Sequence, residues 1–504
     1  MGKKKQMRSE VKGNVKNSIG RIAFAALAVL LQIGWKLILM IKLYQYSSVI
    51  SLLTSLFALV VALRIYGKHT NAAFKMPWII VILAFPVFGL CIYGLFGHKE
   101  AMHKIIRKFE DVDAQLIPLN VQDETILQQL EQEDPLLANQ CHYIWKYGNY
   151  PVYDTTAVKF YPEAYLGYEE QLKELEKAKH FIFLEYHAIE EAEAFARLKD
   201  VLARKAAEGV EVRILYDDVG CIGFLDKSFI DRMNAIGVQC RVFNYVVPFL
   251  NIFMNNRDHR KIMVIDGKVG FTGGYNLADE YFNITHPYGY WKDTGVKLTG
   301  RAVQNFTMMF LEMWNVMGQA DTDYEKYLKA SQEGAEDGNV QKASGYVQPY
   351  ADSPLDGEPV GENVYLNLIK TAKKRLYVAT PYLIISDEMN RELCMAAKRG
   401  IDVRIITPGI PDKKLVYKIT RSYYAPLAAA GVRIYEYTPG FIHAKQCVCD
   451  DELAVIGTIN LDYRSLYLHF ENGVLMYKTK VVSDMAADFE NTFSVLVMKK
   501  SILK

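Results

Sequence analysis

The sequence predicts an α/β protein: two tandem α/β domains packed pseudo-symmetrically, preceded by N-terminal transmembrane helices. Three observations predict it. Long uncharged apolar runs sit in the first hundred residues. Beyond residue 145, β-rich and helix-like segments alternate. The order of those segments, with a short His/Lys/Asp motif, then occurs a second time.

Composition agrees. A chain of 504 residues is expected to hold about three units at roughly 150 residues each. With 51% hydrophobic and 23% charged residues it is not intrinsically disordered. A net charge of +2 gives no basic field for bulk nucleic-acid binding. The mean hydropathy, near zero, is high for a soluble protein. The seven cysteines are odd in number and irregular in spacing, which suits neither a disulfide framework nor a zinc site. Cys447 and Cys449 share one face of a strand and read as small core residues.

In chain order, residues 1–97 are the membrane region, with two or three hydrophobic helices. Leu43–Leu63 and Met76–Gly97 carry no charge over 21 and 22 positions, enough to cross a hydrocarbon core of about 30 Å. Pro77 and Pro86 are tolerable in such a helix. Ile22–Ile41 is a weaker third candidate, interrupted by Lys36. Nine Lys and Arg lie in residues 1–42, three in the loop 64–75 and four just after the last run. Two crossings obey the positive-inside rule better than three and place the remainder in the cytoplasm. The protein is therefore expected to be a multi-pass protein of the cell membrane.

Residues 98–145 form a charged helical connector. The first α/β domain spans 146–330, a polar linker 331–344, and the second domain 345–504. In the first, strand-like Phe181–Tyr186 is followed by helical Phe195–Gly209, strand Val210–Tyr216, a helix at Lys227–Ile236 and strand Val238–Phe243. In the second, Arg375–Ala379, Glu388–Gly400, Ile401–Ile406, Tyr423–Gly431 and Val432–Tyr437 repeat that order.

The copies agree best just downstream. His259, Lys261 and Asp266 match His443, Lys445 and Asp450, both reading H-x-K-x4-D at an offset of 184 positions. Gly273 and Asn276 match Gly457 and Asn460 at the same offset, and Asp293 later matches Glu471. One such pattern is weak; two in register are not a product of core packing.

Residues i and i+2 of a strand point to one side, so each His projects with its Lys. If the copies pack about a pseudo-twofold axis, one cleft gathers two imidazoles, two ammonium groups and two carboxamides. That is a site for a phosphate anion, with Lys261, Asn276, Lys445 and Asn460 as donors. It lacks the carboxylates of a Mg²⁺ or Ca²⁺ site, and two histidines alone are a poor zinc set, so no metal and no cofactor are expected. Two histidines on one phosphate suggest a nucleophile and a general acid. Asp293 and Glu471 are placed to orient the imidazoles. Asp266 and Asp450 complete the candidate catalytic set, although their position at strand-end turns favours a structural role. Thr458 and Ser465 are further candidate hydroxyl donors.

The doubled H-x-K-x4-D motif resembles that of the phospholipase D superfamily. With the apolar N-terminal segments, Gly273-Gly274-Tyr275-Asn276 and the run from Gly457 to Ser465, the chain is similar within it to the bacterial cardiolipin synthases. The resemblance covers essentially the whole chain and implies two phospholipase D-like domains. It also implies a metal-independent transfer of a phosphatidyl group between two phosphatidylglycerol molecules, giving cardiolipin and glycerol. The intermediate is a phosphohistidine, with His259 as nucleophile and His443 as acid and base. Phosphatidylglycerol and membrane lipid are the implied partners, and nucleic acid is not one. The rivals are a phospholipase D-type hydrolase, another transphosphatidylase such as a phosphatidylserine synthase, a nuclease, and a catalytically dead membrane scaffold. One further reading concerns Tyr245–Met254, ten extra residues ahead of the first motif, expected to be either an apolar lip dipping into the bilayer or a buried strand extension.

Overall fold

The computed structural model describes residues 27, 30–38, 47–68, 71–97, 103–226, 228–245, 255–321, 323–329 and 345–498. The expected linker, and the expected lip beyond Tyr245, lie outside these residues. The chain forms two compact units, divided between Arg107 and Lys108.

In the N-terminal unit, Ser47–Tyr66 is one helix of 20 residues. Its segment Ser48–Tyr66 is, among the described residues, the one helix long and apolar enough to cross a membrane. Leu52, Leu56, Val60 and Leu63 on it are exposed. The second expected crossing, 76–97, is not a single helix. It falls in Ala72–Ala84 and Pro86–Phe96, of 13 and 11 residues. At 1.5 Å per residue each is about 20 Å or less, short of a hydrocarbon core of about 30 Å. The break is at Phe85 (φ −134°, ψ 74°), ahead of Pro86, which has no N–H to continue the ladder. A Cβ on Gly89 would lie 2.5 Å from the Ile82 Cα, so the two pieces turn back on one another where glycine leaves room. Of the weaker Ile22–Ile41 candidate, residues 30–38 are helical.

The second unit contains the two copies. The first is built on β1 (Thr156–Tyr161), β2 (Phe181–Tyr186), β3 (Glu211–Asp217), β4 (Val238–Phe243), β5 (Arg257–Asp258), β6 (Lys261–Ile265), β7 (Val269–Gly273), β8 (Tyr290–Lys292) and β9 (Gly295–Gly300). The second adds β10 (Tyr346–Asp352), β11 (Arg375–Ala379), β12 (Leu383–Ile384), β13 (Asp402–Pro408), β14 (Arg433–Tyr437), β15 (Gly440–Ile442), β16 (Gln446–Cys449), β17 (Leu453–Gly457), β18 (Leu461–Asp462), β19 (His469–Tyr477) and β20 (Val497–Met498). One sheet runs β1-β9-β7-β6-β2-β3-β4 and the other β10-β19-β17-β16-β11-β13-β14-β20. The order is the same in both, with β20 added at one edge.

In the first sheet β2, β3 and β4 are parallel to one another, as are β11, β13 and β14 in the second, because helices return the chain between them. The helix after β2, Glu193–Ala207, and its counterpart Asp387–Lys398 bury apolar stripes including Phe195, Leu198 and Leu202, and Met389, Leu393 and Ala396. Gly209 and Gly400 end them at φ +90° and +94°, a backbone region that glycine enters freely. The motif strands β6 and β16 are antiparallel to β2 and β11. Each copy has its own apolar core.

The connector is not a spacer. Helices Glu124–Glu133 and Pro135–Gly148 bury Ile126, Leu130, Leu137 and Ile144 in the core of the second copy, against residues such as Val364 and Leu368.

Candidate active site

Two short parallel ladders tie the copies together. β5 pairs with β19 through His469↔Arg257 and Phe470↔Asp258. β15 pairs with β8 through Ile442↔Lys292 and its neighbours. Each ladder stops where a motif histidine begins. His259 N donates to Phe470 O at 2.9 Å, and His443 N to Lys292 O at 2.7 Å. The next residues are Glu471 and Asp293.

The orienting pairs are therefore crossed between copies. His259 Nδ1 lies 2.9 Å from Glu471 Oε2. His443 Nδ1 lies 2.7 Å from Asp293 Oδ2. An ionised carboxylate only accepts, so each Nδ1 carries the proton and each Nε2 is left with its lone pair. Both histidines and both carboxylates are buried. Side-chain bonds repeat the crossing: Thr294 Oγ1 donates to Gln446 Oε1 at 3.0 Å, and Asn472 Nδ2 to Thr272 Oγ1 at 2.8 Å.

The lysines curl back onto the same turns. Lys261 Nζ donates to His259 O at 2.5 Å, and Lys445 Nζ to His443 O. Burial lowers both, Lys261 to about 8 and Lys445 to about 7, against the pull of Asp293 and Glu471. The two ammonium groups repel each other, which holds Lys445 lower still. Burial also keeps both histidines neutral: His259 well below its usual value, His443 down to about 4 with Lys445 adding to the effect. An anion entering between the lysines would relieve all of these shifts.

Asn276 and Asn460 are both buried beside the motifs. Asn276 is engaged, its Oδ1 accepting from Ala188 N at 3.1 Å and its Nδ2 donating to Tyr281 Oη at 2.8 Å. Asn460 Oδ1 has no hydrogen-bond partner among the described residues.

Four expected residues are used elsewhere. Asp266 and Asp450 are not brought to the histidines; each sits at the far end of its motif strand. Asp266 accepts the backbone N–H groups of Lys179, His180 and Phe181 at 2.8 Å. Asp450 accepts those of Lys373, Lys374 and Arg375 at 2.6–2.9 Å. Both take left-handed backbone, φ 52° and 54°, in the hairpin turns that close β6–β7 and β16–β17. With their carboxylates so occupied they anchor the start of β2 and β11. Thr458 Oγ1 donates to Asn472 O at 3.2 Å and Ser465 Oγ to Glu471 Oε1 at 2.7 Å, so neither hydroxyl is free for a substrate.

Residues the motif does not announce surround the pair, and they break its symmetry. His259 is flanked by His187 and His469, ring centroids 4.9 and 5.3 Å away. His443 is flanked instead by Tyr281, Trp291 and Phe441 at 5.3–5.9 Å. His187 Nδ1 donates to Asp258 O at 2.7 Å. The signal for His469 was available: it stands two residues before Glu471 on one strand and so shares its face. His187 follows β2 and had no such signal. Behind the first motif, Arg257 and Asp217 form a fully buried ion pair at 2.8 Å.

A family profile described as cardiolipin synthase, phospholipase D-like domain matches residues 172–314 and 365–493. A second, described as phospholipase D-nuclease N-terminal, matches residues 54–98. The chain is 44% identical over 418 residues to an uncharacterized protein of Streptococcus mutans serotype c, covering 83% of this chain and 89% of that one. It is 35% identical over 456 residues to a cardiolipin synthase of Alkalihalophilus pseudofirmus, covering 88% of each. The solved phosphatidylserine synthase of Haemophilus influenzae Rd KW20 covers 68% of this chain and 87% of its own at 14% identity and a TM-score of 0.51, a likeness of fold.

Proposed function

The chain belongs to the cardiolipin synthase family of phospholipase D-type phosphatidyltransferases, and on that premise we propose that it joins two phosphatidylglycerol molecules into cardiolipin and glycerol through a phosphohistidine. The observation that carries the reading is the crossed His–carboxylate geometry, which leaves two Nε2 lone pairs and two lysines for one phosphodiester.

In the first step His259 Nε2 attacks phosphorus. The bond from phosphorus to the headgroup glycerol breaks, and that oxygen takes a proton from His443 Nε2. In the second step the headgroup hydroxyl of another phosphatidylglycerol gives its proton back to His443 and attacks phosphorus. The P–N bond to His259 then breaks. Lys261 and Lys445, with Asn276 and Asn460 alongside, stabilise the charge on the pentacoordinate phosphorus. Burial, with the charge of Lys445 beside it, makes His443 a reluctant cation, hence a strong acid once the substrate anion has drawn a proton to its Nε2.

The N-terminal unit holds the enzyme at its substrate. Beside the helix Ser48–Tyr66 we take the apolar sequence run Ile22–Ile41 as a second crossing, with the folded-back helices 72–84 and 86–96 re-entering from the side they leave. Fourteen of the sixteen Lys and Arg up to residue 108 then lie on one side and two on the other, which favours a cytoplasmic catalytic part. Thiol labelling of single cysteines placed at residues 44 and 69 tests this; equal labelling from one side of sealed vesicles would reject it.

The reaction is tested on the full-length protein in mixed micelles of phosphatidylglycerol with excess chelator. Cardiolipin and glycerol should form in equal amounts, and His259→Ala and His443→Ala should abolish both. Mass spectrometry of quenched wild-type enzyme should find the phosphatidyl group on the His259 peptide. Phosphatidic acid in place of cardiolipin would move the reaction to hydrolysis, and a label on His443 would reverse the two roles.

A further inference from the structure

Repeat positions 178 apart, as Asp293 and Glu471 are, hold Trp291 in the first copy and His469 in the second. The site is therefore doubled in its motif but not in its ligating power. The His469 side chain is nine-tenths buried, and its Nδ1 has no hydrogen-bond partner among the described residues. That nitrogen is 3.4 Å from Glu471 Oε1, and the same oxygen is 2.9 Å from His259 Nδ1. One ring nitrogen of each of His259 and His469 and one Glu471 carboxylate oxygen lie within 4.8 Å of one another.

A tetrahedral ion with bonds of about 2.0–2.1 Å has ligand-to-ligand edges of about 3.4 Å, comparable to the contacts to Glu471. Two imidazoles and one carboxylate, with a fourth position open, is a donor set that zinc accepts. We propose that His259, His469 and Glu471 form a site for Zn²⁺ or a similar divalent transition metal, and that occupancy switches the enzyme off.

The switch follows from the single ring proton of a neutral imidazole. Without metal, His259 Nδ1–H donates to Glu471 and Nε2 keeps the lone pair that attacks phosphorus. A metal on Nδ1 takes that nitrogen's lone pair, and the proton moves through solvent to Nε2. No net proton is gained or lost, but the attacking atom has become an N–H. His469 undergoes the same change and gives up the bond it accepts from Arg464 Nε at 3.3 Å. Ions that prefer oxygen ligands, such as Mg²⁺, do not recover that loss; Zn²⁺ and Cu²⁺, with high affinity for imidazole, do. The inhibition rests on the nucleophile role proposed for His259, whereas metal binding rests on the geometry alone.

The test uses the full-length protein in detergent, titrated with Co²⁺ for its visible absorption and with Zn²⁺ for its effect on phosphatidylglycerol turnover. One Co²⁺ per chain should give the intense bands of a tetrahedral site, and Zn²⁺ should displace it. Zn²⁺ should lower turnover at least about tenfold, reversibly on adding chelator. His469→Asn, with inhibition taken relative to its own metal-free turnover, should lose the Co²⁺ bands and need at least about tenfold more Zn²⁺ for the same fractional inhibition. His469→Gln serves if the asparagine variant does not fold. Equal Zn²⁺ sensitivity in parent and variant, or a parent without Co²⁺ bands, would overturn the proposal. A parent that binds Co²⁺ but does not turn over phosphatidylglycerol would instead count against the function proposed above.

Discussion

Each motif histidine takes its orientation from the other copy's carboxylate, so the carboxylates are the residues whose chemistry is easiest to isolate. Asp293→Asn should lower kcat by about 10²–10⁴-fold with KM little changed, since an amide no longer fixes the Nδ1–H tautomer or stabilises an imidazolium. An unchanged kcat would mean that the pairing at 2.7 Å is only structural. Two pH effects follow from the buried bases. Lys445, lowered to about 7, loses its charge as pH rises through neutrality, so kcat/KM should fall between pH 7 and 9. His443 is lowered from 6.5 to about 4, so the unfolded chain binds its proton more readily than the folded one. The stability present above about pH 6.5 is then lost as pH falls towards 4, by roughly 3 kcal/mol for this group. The thermal midpoint of the wild type should drop more steeply over that range than that of His443→Asn; parallel slopes would refute the shift.

At the scale of elements, the motif is two devices joined by one strand. Its His–Lys end faces the cleft, and its Asp end closes a hairpin and pins the neighbouring strand. Asp450→Ala leaves three backbone N–H groups without their acceptor. It should lower stability by about 1–3 kcal/mol in thermal unfolding while the folded fraction keeps its kcat. A loss of kcat without a loss of stability would return Asp450 to the catalytic set. The interdomain ladders admit a converse test. A Cβ at Gly440 would lie 2.1 Å from Tyr290 O, so Gly440→Ala must push β15 away from β8. Because His443 N is held on Lys292 O at the end of that ladder, activity should be lost with the fold largely kept, as circular dichroism would show.

At the scale of the whole molecule, the core of the second copy begins before the first copy does. A chain starting at residue 103 keeps the helices 124–133 and 135–148 and should remain folded and monodisperse in size-exclusion chromatography with little detergent. A chain starting at residue 149 exposes the apolar faces that Leu130, Leu137 and Ile144 cover, and it should aggregate. If both behave alike, these helices are a tether and not part of the core.

The sequence by itself determined what is local or periodic. Strand and helix periodicities placed three strands of each copy and the helices between them, and the repeated H-x-K-x4-D named the two histidines and two lysines. Uncharged length marked Leu43–Leu63 as a candidate crossing, and most of that run falls in the apolar helix Ser47–Tyr66. Tertiary structure alone decided what depends on which surfaces meet. Glu471 serves His259 and Asp293 serves His443 because the β5–β19 and β8–β15 ladders cross between copies, and no spacing along one chain encodes that exchange. Asp266 and Asp450 share the motif's spacing with the histidines, yet a strand separates them from the cleft, so their place in the motif does not give them its chemistry. The run 76–97 reads as one span by composition, but Pro86 removes a single N–H and the helix turns back. His187 carries no repeat and no motif, and only the packed site shows it against His259, because burial and proximity are properties of the fold and not of spacing along the chain.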